Sequence, residues 1–410
     1  MISEIAAHLA SSAEADLLEN LLPYWVKTAP DPDGDGFVGQ VGPGEVVDPE
    51  APRGALLTSR ILWTFSAAHL RWPEMGYLEM ADRAHADLVG RFWDEAHGGL
   101  YWSIAADGLP LNSDKNIYGQ AFGIFALTEY YQATGHQEAQ ERAIEIYRLM
   151  DLNARDRTHG GFLELFATDW SRKPANTAVV MGVGQGAKSQ NTHLHVMEAF
   201  TNLLKTWPDA GLLEAQQEVV DLMLNKVLDK EEWHLHLFFD DAWGVVSTGV
   251  SYGHDIEAAW LMQQAAEQLG DGVMIEIARK AAVEIARATL AEGLDADGAL
   301  FYAGEPDGPT NRIKAWWPQA EGVVGFLNAW QVSGDDRFLE AANRIWTFIE
   351  ETMIDRENGG WFHSISPDGR VLPMEKIGLW TCPYHNARAA MEMIDRLGGH
   401  RRPDHPPRGE

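Results

Sequence analysis

Apolar residues recur along this chain at the spacing of three to four that marks helices packed on one face. Arg60-Ile-Leu-Trp-Thr-Phe-Ser-Ala-Ala-His69, Gln120-Ala-Phe-Gly-Ile-Phe-Ala-Leu-Thr-Glu-Tyr130 and Ile275-Glu-Ile-Ala-Arg-Lys-Ala-Ala-Val-Glu-Ile285 show it over successive turns. Between such runs stands a different pattern, a polar or glycine turn that leads into a short aromatic strand. Its copies are Asp35-Gly36-Phe37-Val38, His97-Gly98-Gly99-Leu100-Tyr101-Trp102, His159-Gly160-Gly161-Phe162-Leu163, Asp297-Gly298-Ala299-Leu300-Phe301-Tyr302 and Asn358-Gly359-Gly360-Trp361-Phe362. A degenerate copy, Trp233-His-Leu-His-Leu-Phe-Phe-Asp240, fills the one wide gap. Several turn back at Asp107-Gly108, Asp307-Gly308 and Asp368-Gly369, which is ordinary hairpin chemistry. Six copies at intervals of roughly 60 to 75 residues form an internal repeat, and each interval has room for two helices of ordinary length. The pattern predicts an all-α protein, an (α/α)6 barrel of six helical hairpins in a double ring with short β-hairpin loops at one end. Residues 1–397 are read as a single domain and 398–410, rich in Pro, Arg and His, as a disordered tail.

Composition narrows the partners. Over 410 residues the net charge is −29, with no basic run, so nucleic acid and anionic membrane would both repel the chain. The apolar fraction of 45% and the 16 tryptophans supply a large core, and the acidic composition with lysine scarcer than arginine suits a high-salt or otherwise acid-rich proteome, or a simple lineage bias. The one cysteine, Cys382, excludes an internal disulfide and agrees with a reducing compartment. Met-Ile-Ser-Glu-Ile-Ala-Ala-His lacks the basic start and apolar run of a signal peptide, and no window is apolar for long enough to span a bilayer. A cytoplasmic protein, a monomer rather than a dimer, is expected.

Some tempting motifs fail. Asp31-Pro-Asp-Gly-Asp-Gly36 opens like a calcium loop, but Gly42 stands where the bidentate glutamate belongs. Gly182-Val-Gly-Gln-Gly-Ala-Lys-Ser189 has alanine before the lysine, where a phosphate loop requires glycine. His193 with His195 and His234 with His236 are spaced like metal ligands, yet further paired histidines and cysteines are missing, so no metal site is expected.

What remains is a set of polar residues at predicted helix starts facing the interior of a ring: Arg60, Asn191, His195, His254, Glu257, Trp316, Glu321 and His385. In Asn191-Thr-His-Leu-His195 the amide and the second imidazole lie one turn apart on one face, with Glu198 beside them, while His193 points elsewhere. Glu257 follows His254 by three, a spacing that lets the carboxylate hold that imidazole. Tryptophans stack on sugar faces and histidines both accept and donate protons near neutral pH, so the set suits a neutral polyhydroxy ligand. Two histidines on opposite sides of a carbon acid would take and return a proton on different faces, which is the logic of an epimerase.

Four motifs in order carry a family likeness. Asn-Thr-His-Leu-His at 191–195, Gly-His-Asp-Ile-Glu at 253–257, Trp-Trp-Pro-Gln-Ala-Glu at 316–321 and Trp380 with Pro383-Tyr-His-Asn386 resemble the N-acylglucosamine 2-epimerase superfamily, most of all its cellobiose 2-epimerase branch. The resemblance runs from about Tyr24 to about Leu397. It implies the same barrel and cofactor-free epimerisation at C2 of a reducing-end glucose to mannose. It further implies that His254 and His385 exchange the C2 proton, that His195 assists ring opening and that Arg60 binds the enediolate. Tyr118, Asn191, Glu257, Trp316, Glu321 and Trp380 match substrate contacts. Phe166 to Gln190 follows no recognisable pattern, so chain-length preference stays open between β-1,4-disaccharides and free mannose or glucose, as does the share of aldose–ketose isomerisation. An inverting glycosidase, which needs two carboxylic acids about 6.5 to 9.5 Å apart, and a carbohydrate-binding protein are the alternatives of another class.

Overall fold

The structure is a computed structural model that describes residues 2–174, 186–305 and 307–398. The predicted tail past Gly398 and most of the glycine-rich stretch 182–186 lie outside these residues. The helices in chain order are α1 (Ile2–Asp16), α2 (Leu22–Thr28), α3 (Ala55–Arg71), α4 (Leu78–Arg91), α5 (Ile117–Thr134), α6 (Gln137–Asn153), α7 (Gln190–Thr206), α8 (Ala210–Leu222), α9 (Tyr252–Leu269), α10 (Gly272–Glu292), α11 (Trp316–Ser333), α12 (Asp336–Phe348) and α13 (Tyr384–Leu397).

Burial sorts them into two rings. Helices α5, α7 and α11 have no exposed face over their first three to four turns: every residue of 117–130, 190–204 and 316–329 is buried. Such helices need neighbours on all sides. Helix α12 buries only a stripe, Phe338, Leu339, Ala341, Ala342, Ile345, Trp346 and Phe348, and belongs outside. Packing closes the inner ring in the order α3, α5, α7, α9, α11, α13 and back to α3, while α4, α6, α8, α10 and α12 each back onto the inner helix before them. The architecture is an (α/α)6 barrel. Five of its hairpins are continuous in the chain; the sixth is assembled from α1 and α13, the first and last helices.

The aromatic cassettes work as fasteners at one end of the barrel. The residue just ahead of an inner helix pairs antiparallel with a cassette further on: Gly54 with Ser103, Asn116 with Leu165, Ser189 with Phe238 and Ala315 with Ser364, the same interval each time. Two residues ahead of each of these helices stands a buried cation whose partner is the aspartate that folds a cassette turn. Arg53 reaches Asp31 at 2.9 Å, Lys115 reaches Asp94 at 2.8 Å, Lys188 reaches Asp156 at 2.8 Å and Lys314 reaches Asp295 at 2.7 Å. The Asp94 and Asp156 carboxylates also accept turn amides, from Ala96 and His97 and from Thr158 and His159. Asp31 thus serves a turn and an ion pair.

A second fastener comes from the fourth residue of four inner helices. Gln120, His193, Asp255 and Gln319 accept the backbone N–H of Leu100, Phe162, Leu235 and Leu300 at 2.7–2.9 Å. This close approach accounts for the glycine pairs. At Gly99 (φ +74°) a Cβ would stand 2.8 Å from Gln120 Oε1, and at Gly161 (φ +74°) 2.6 Å from His193 Nε2. His193 is thereby a neutral structural residue: its Nδ1 faces the Ser189 carbonyl at 2.7 Å and burial lowers it to about 4. No described helix is long and apolar enough to cross a membrane.

Candidate active site

Because the fasteners fix where each inner helix begins, the first turns of those helices open together into one cavity of about 310 Å³. Arg60, Tyr118, Asn191, His195, His254, Trp316, Trp380 and His385 all line it. Eight of the ten residues singled out from the sequence therefore meet at one place. Asn311, His363, Met374 and Glu375, which no sequence motif marked, join the wall with Tyr302, the last residue of a cassette; they lie in and beside the hairpins, where spacing gives no helical signal.

Arg60 is 2% exposed and has no carboxylate partner among the described residues. It donates to the Tyr118 hydroxyl at 2.6 Å, approaches Cys382 Sγ at 3.4 Å and lies 4.3 Å over the Phe122 ring. A guanidinium held this way is an unspent cation in a low-dielectric wall. Trp317 spans the floor between two imidazoles, 4.6 Å from His254 and 5.7 Å from His385, and Trp380 tilts against Trp102 and Tyr118.

Three of the cavity histidines, His195, His385 and His254, are held by Nδ1 on different partners. His195 Nδ1 meets Glu198 Oε2 at 3.0 Å, His385 Nδ1 meets Glu321 Oε1 at 2.7 Å, and His254 Nδ1 meets the Ser251 hydroxyl at 2.8 Å. The expectation that Glu257 holds His254 is corrected here. Spacing of three permits that contact, but Glu257 turns away to Arg388 Nη2 at 2.5 Å, with His385 Nδ1 3.9 Å off. Glu257 and Glu321 were also matched to substrate contacts; both are fully buried and neither lines the cavity, Glu321 giving its oxygens to Arg388, His385 and Trp260 while Glu257 gives one to Arg388.

Arg388 is the residue that sequence reasoning missed. One guanidinium bonds Glu198, Glu257 and Glu321, and so sits behind both carboxylate-held histidines. Tyr384 donates to the Glu198 carboxylate as well, at 2.5 and 2.6 Å. Glu257, Glu321 and His385 are close enough to share a cation, and the guanidinium fills that position. Burial alone would raise Glu198, but Arg388, His195 and Tyr384 bring it down to about 2. Burial, with Glu321 beside it, raises Glu257. Burial lowers His254 to about 3, helped by His195 and Arg60; burial, Arg60 and Arg388 hold His385 well below its ordinary value. Burial lowers His195 too, so the imidazoles of His195, His254 and His385 are neutral near pH 7.

A sequence model of the N-acylglucosamine 2-epimerase family matches residues 36–389. The chain belongs to that family. Among its family relatives, a cellobiose 2-epimerase of Bacteroides fragilis is 37% identical over 94% of this chain and 98% of its own length. A cellobiose 2-epimerase of Dictyoglomus turgidum is 34% identical over 96% of this chain and 98% of its own. The solved cellobiose 2-epimerase of Bacillus thermoamylovorans superposes with a TM-score of 0.89 at 36% identity, covering 94% of this chain and 99% of that one. The family match spans α3 through the first turns of α13, and so includes every cavity residue named above.

Proposed function

We propose that the protein is a sugar 2-epimerase that interconverts glucose and mannose at the reducing end of cellobiose, lactose or a related β-1,4-disaccharide. The observation that carries this reading is the convergence of three neutral imidazoles and the uncompensated Arg60 on one tryptophan-floored cavity. Likeness to cellobiose 2-epimerases along nearly the whole chain supports the disaccharide.

C2–H of a sugar becomes acidic only when the ring has opened to the aldehyde, which delocalises the resulting charge. His195, its Nδ1 turned to Glu198, presents Nε2 to move protons between ring oxygen and anomeric hydroxyl. One of His254 and His385 then removes the C2 proton, and the negative charge that forms on O1 and O2 meets Arg60, whose fork of donors is already desolvated and oriented. After the intermediate turns about C2–C3, the other histidine, having taken a proton from solvent, returns it to the opposite face, and the first histidine gives the proton it removed back to solvent, so that both end the cycle neutral. The two histidines differ in how they are held. Nδ1–H of His385 is committed to a carboxylate, which fixes its lone pair on Nε2 and stabilises the imidazolium it becomes. His254 faces a hydroxyl that donates or accepts, so it can present either a lone pair or an N–H to the sugar.

Glu375 is the one carboxylate among the described lining residues, which leaves the two-acid chemistry of an inverting glycosidase without its second acid. The experiment is incubation with cellobiose in deuterated water, followed by NMR. A glucosyl-mannose carrying deuterium at C2 is expected; cleavage of the β-1,4 bond or an unchanged sugar would overturn the reading, and a clear preference for free mannose would move the substrate to the monosaccharide. Exhaustive chelation is expected to leave the rate unchanged, and loss with rescue by one divalent ion would overturn the cofactor-free scheme.

A further inference from the structure

The repeat that delivers His254 departs from its sisters in two ways at once. Where Arg53, Lys115, Lys188 and Lys314 stand two residues ahead of α3, α5, α7 and α11, the residue ahead of α9 is Val250, fastened only by a backbone bridge to Gly304. Where α5, α7 and α11 carry a neutral fourth residue, Gln120, His193 or Gln319, α9 carries Asp255, fully buried and adjacent in sequence to His254. A missing cation and an added anion would leave a buried charge alone, which is costly.

The balance is restored by His234, from the degenerate cassette. Its Nδ1 lies 2.8 Å from Asp255 Oδ2 and its Nε2 lies 3.1 Å from Glu292 Oε2 at the end of α10, with the Tyr252 ring edge-on at 6.1 Å. Asp255 uses its other oxygen for the Leu235 amide at 2.8 Å. A neutral imidazole has one N–H, so two carboxylates on two ring nitrogens require the cation. We propose that His234, outside the cavity, is a positioning residue: as an imidazolium clamped to Asp255 it holds the start of α9, and with it His254, in place for proton exchange. In this repeat the fastening cation is an imidazolium in place of a lysine or arginine, so it titrates at lower pH than its sisters. Asp255 and Glu292 outweigh burial and raise His234 to about 9. Above that pH Asp255, in the first turn that carries His254, is an anion without a counter-charge, left only with neutral donors such as the Leu235 amide.

The proposal rests on the epimerase reading for its kinetic readout, and an NMR titration separates the two. In full-length protein with labelled histidine and no sugar, His234 is expected to titrate near pH 9; titration at or below the ordinary ~6.5 would overturn the clamp whatever the substrate proves to be. With cellobiose, kcat/KM for C2 exchange is measured against pH for the wild type, for His234→Gln and for Asp255→Gln combined with His234→Leu, which restores the neutral fastener of the sister repeats. His234→Gln is expected to lower kcat by about 10- to 100-fold with little change in KM, because His254 is misplaced rather than lost. Sugar ring opening, which depends on His195 of α7, is expected to persist in both variants when followed as mutarotation. The wild type should lose exchange as pH passes about 9, and the double variant should keep it. A folded double variant with an unmoved alkaline limb would overturn the proposal; if that variant does not fold, the titration of His234 decides it.

Discussion

His385 and His254 occupy comparable places on the cavity wall, yet a carboxylate stands behind one and a hydroxyl behind the other. Removing either ring, as His385→Ala or His254→Ala, is expected to leave C2 exchange below a hundredth of wild type with the fold intact by circular dichroism, since a positioned acid or base supplies about 10²- to 10⁴-fold. Exchange above that level in a folded variant would replace two bases with one that swings. Glu321→Gln keeps the shape but offers His385 an amide that can donate to Nδ1 and so select the wrong tautomer, so kcat should fall by about 10² or more while KM holds; an unchanged kcat would show that Glu321 does not orient the base. The cavity histidines and Arg60 were legible because rare polar types recur at helix starts. Glu257 was misread because a spacing of three says that a carboxylate reaches some neighbour, not which one, and the buried Arg388 attracted it more strongly than the partly buried His254. Arg388 escaped notice because a charged residue near the end of a chain reads as solvated. Its one signal is position: it shares a helix face with Tyr384 and Met391, both buried.

At the level of elements, the cassettes could be read as a period, and the turn glycines followed from hairpin chemistry. Which strand pairs with which, and the cation behind each turn, could not, because Lys188 and Asp156 are far apart in the chain and meet only when the ring forms. Lys188 is fully buried there and also donates to the Gly160 and Asp241 carbonyls. Lys188→Met strands those acceptors and is expected to cost about 3 kcal/mol in denaturant unfolding, at the low end for a broken buried pair because Asp156 keeps some solvent; a loss under about 0.5 kcal/mol would mean that the turn holds without its cation. Burial alone would raise Asp156, but Lys188 and the amides of Thr158 and His159 bring it down to about 2. A carboxylate lowered on folding stabilises above its unfolded value, so this contribution is complete above pH ~4 and disappears as pH falls toward about 2. Lys188→Met should therefore also be less sensitive to acid across that window than wild type.

For the molecule as a whole, a net charge of −29 means that acidic groups crowd one another over most of the surface. Salt shortens the range of that repulsion, from about 30 Å at 0.01 M to about 3 Å at 1 M. The midpoint of thermal unfolding is expected to rise by several degrees between those concentrations of sodium chloride; a flat or falling midpoint would show that the buried ion pairs, not the surface, govern stability. The double ring was predictable from period and helix length, but its closure was not, since no spacing announces that α1 backs onto α13. That closure sets a condition on biosynthesis. At about 5–20 residues per second, tens of seconds separate the emergence of α1 from that of α13. Through most of that interval Leu9, Ala13, Leu17 and Leu21, all fully covered in the finished barrel, wait for α12 and α13, the late helices that pack against α1. The nascent chain therefore carries an apolar strip that a ribosome-bound chaperone is suited to shield until the last helix arrives.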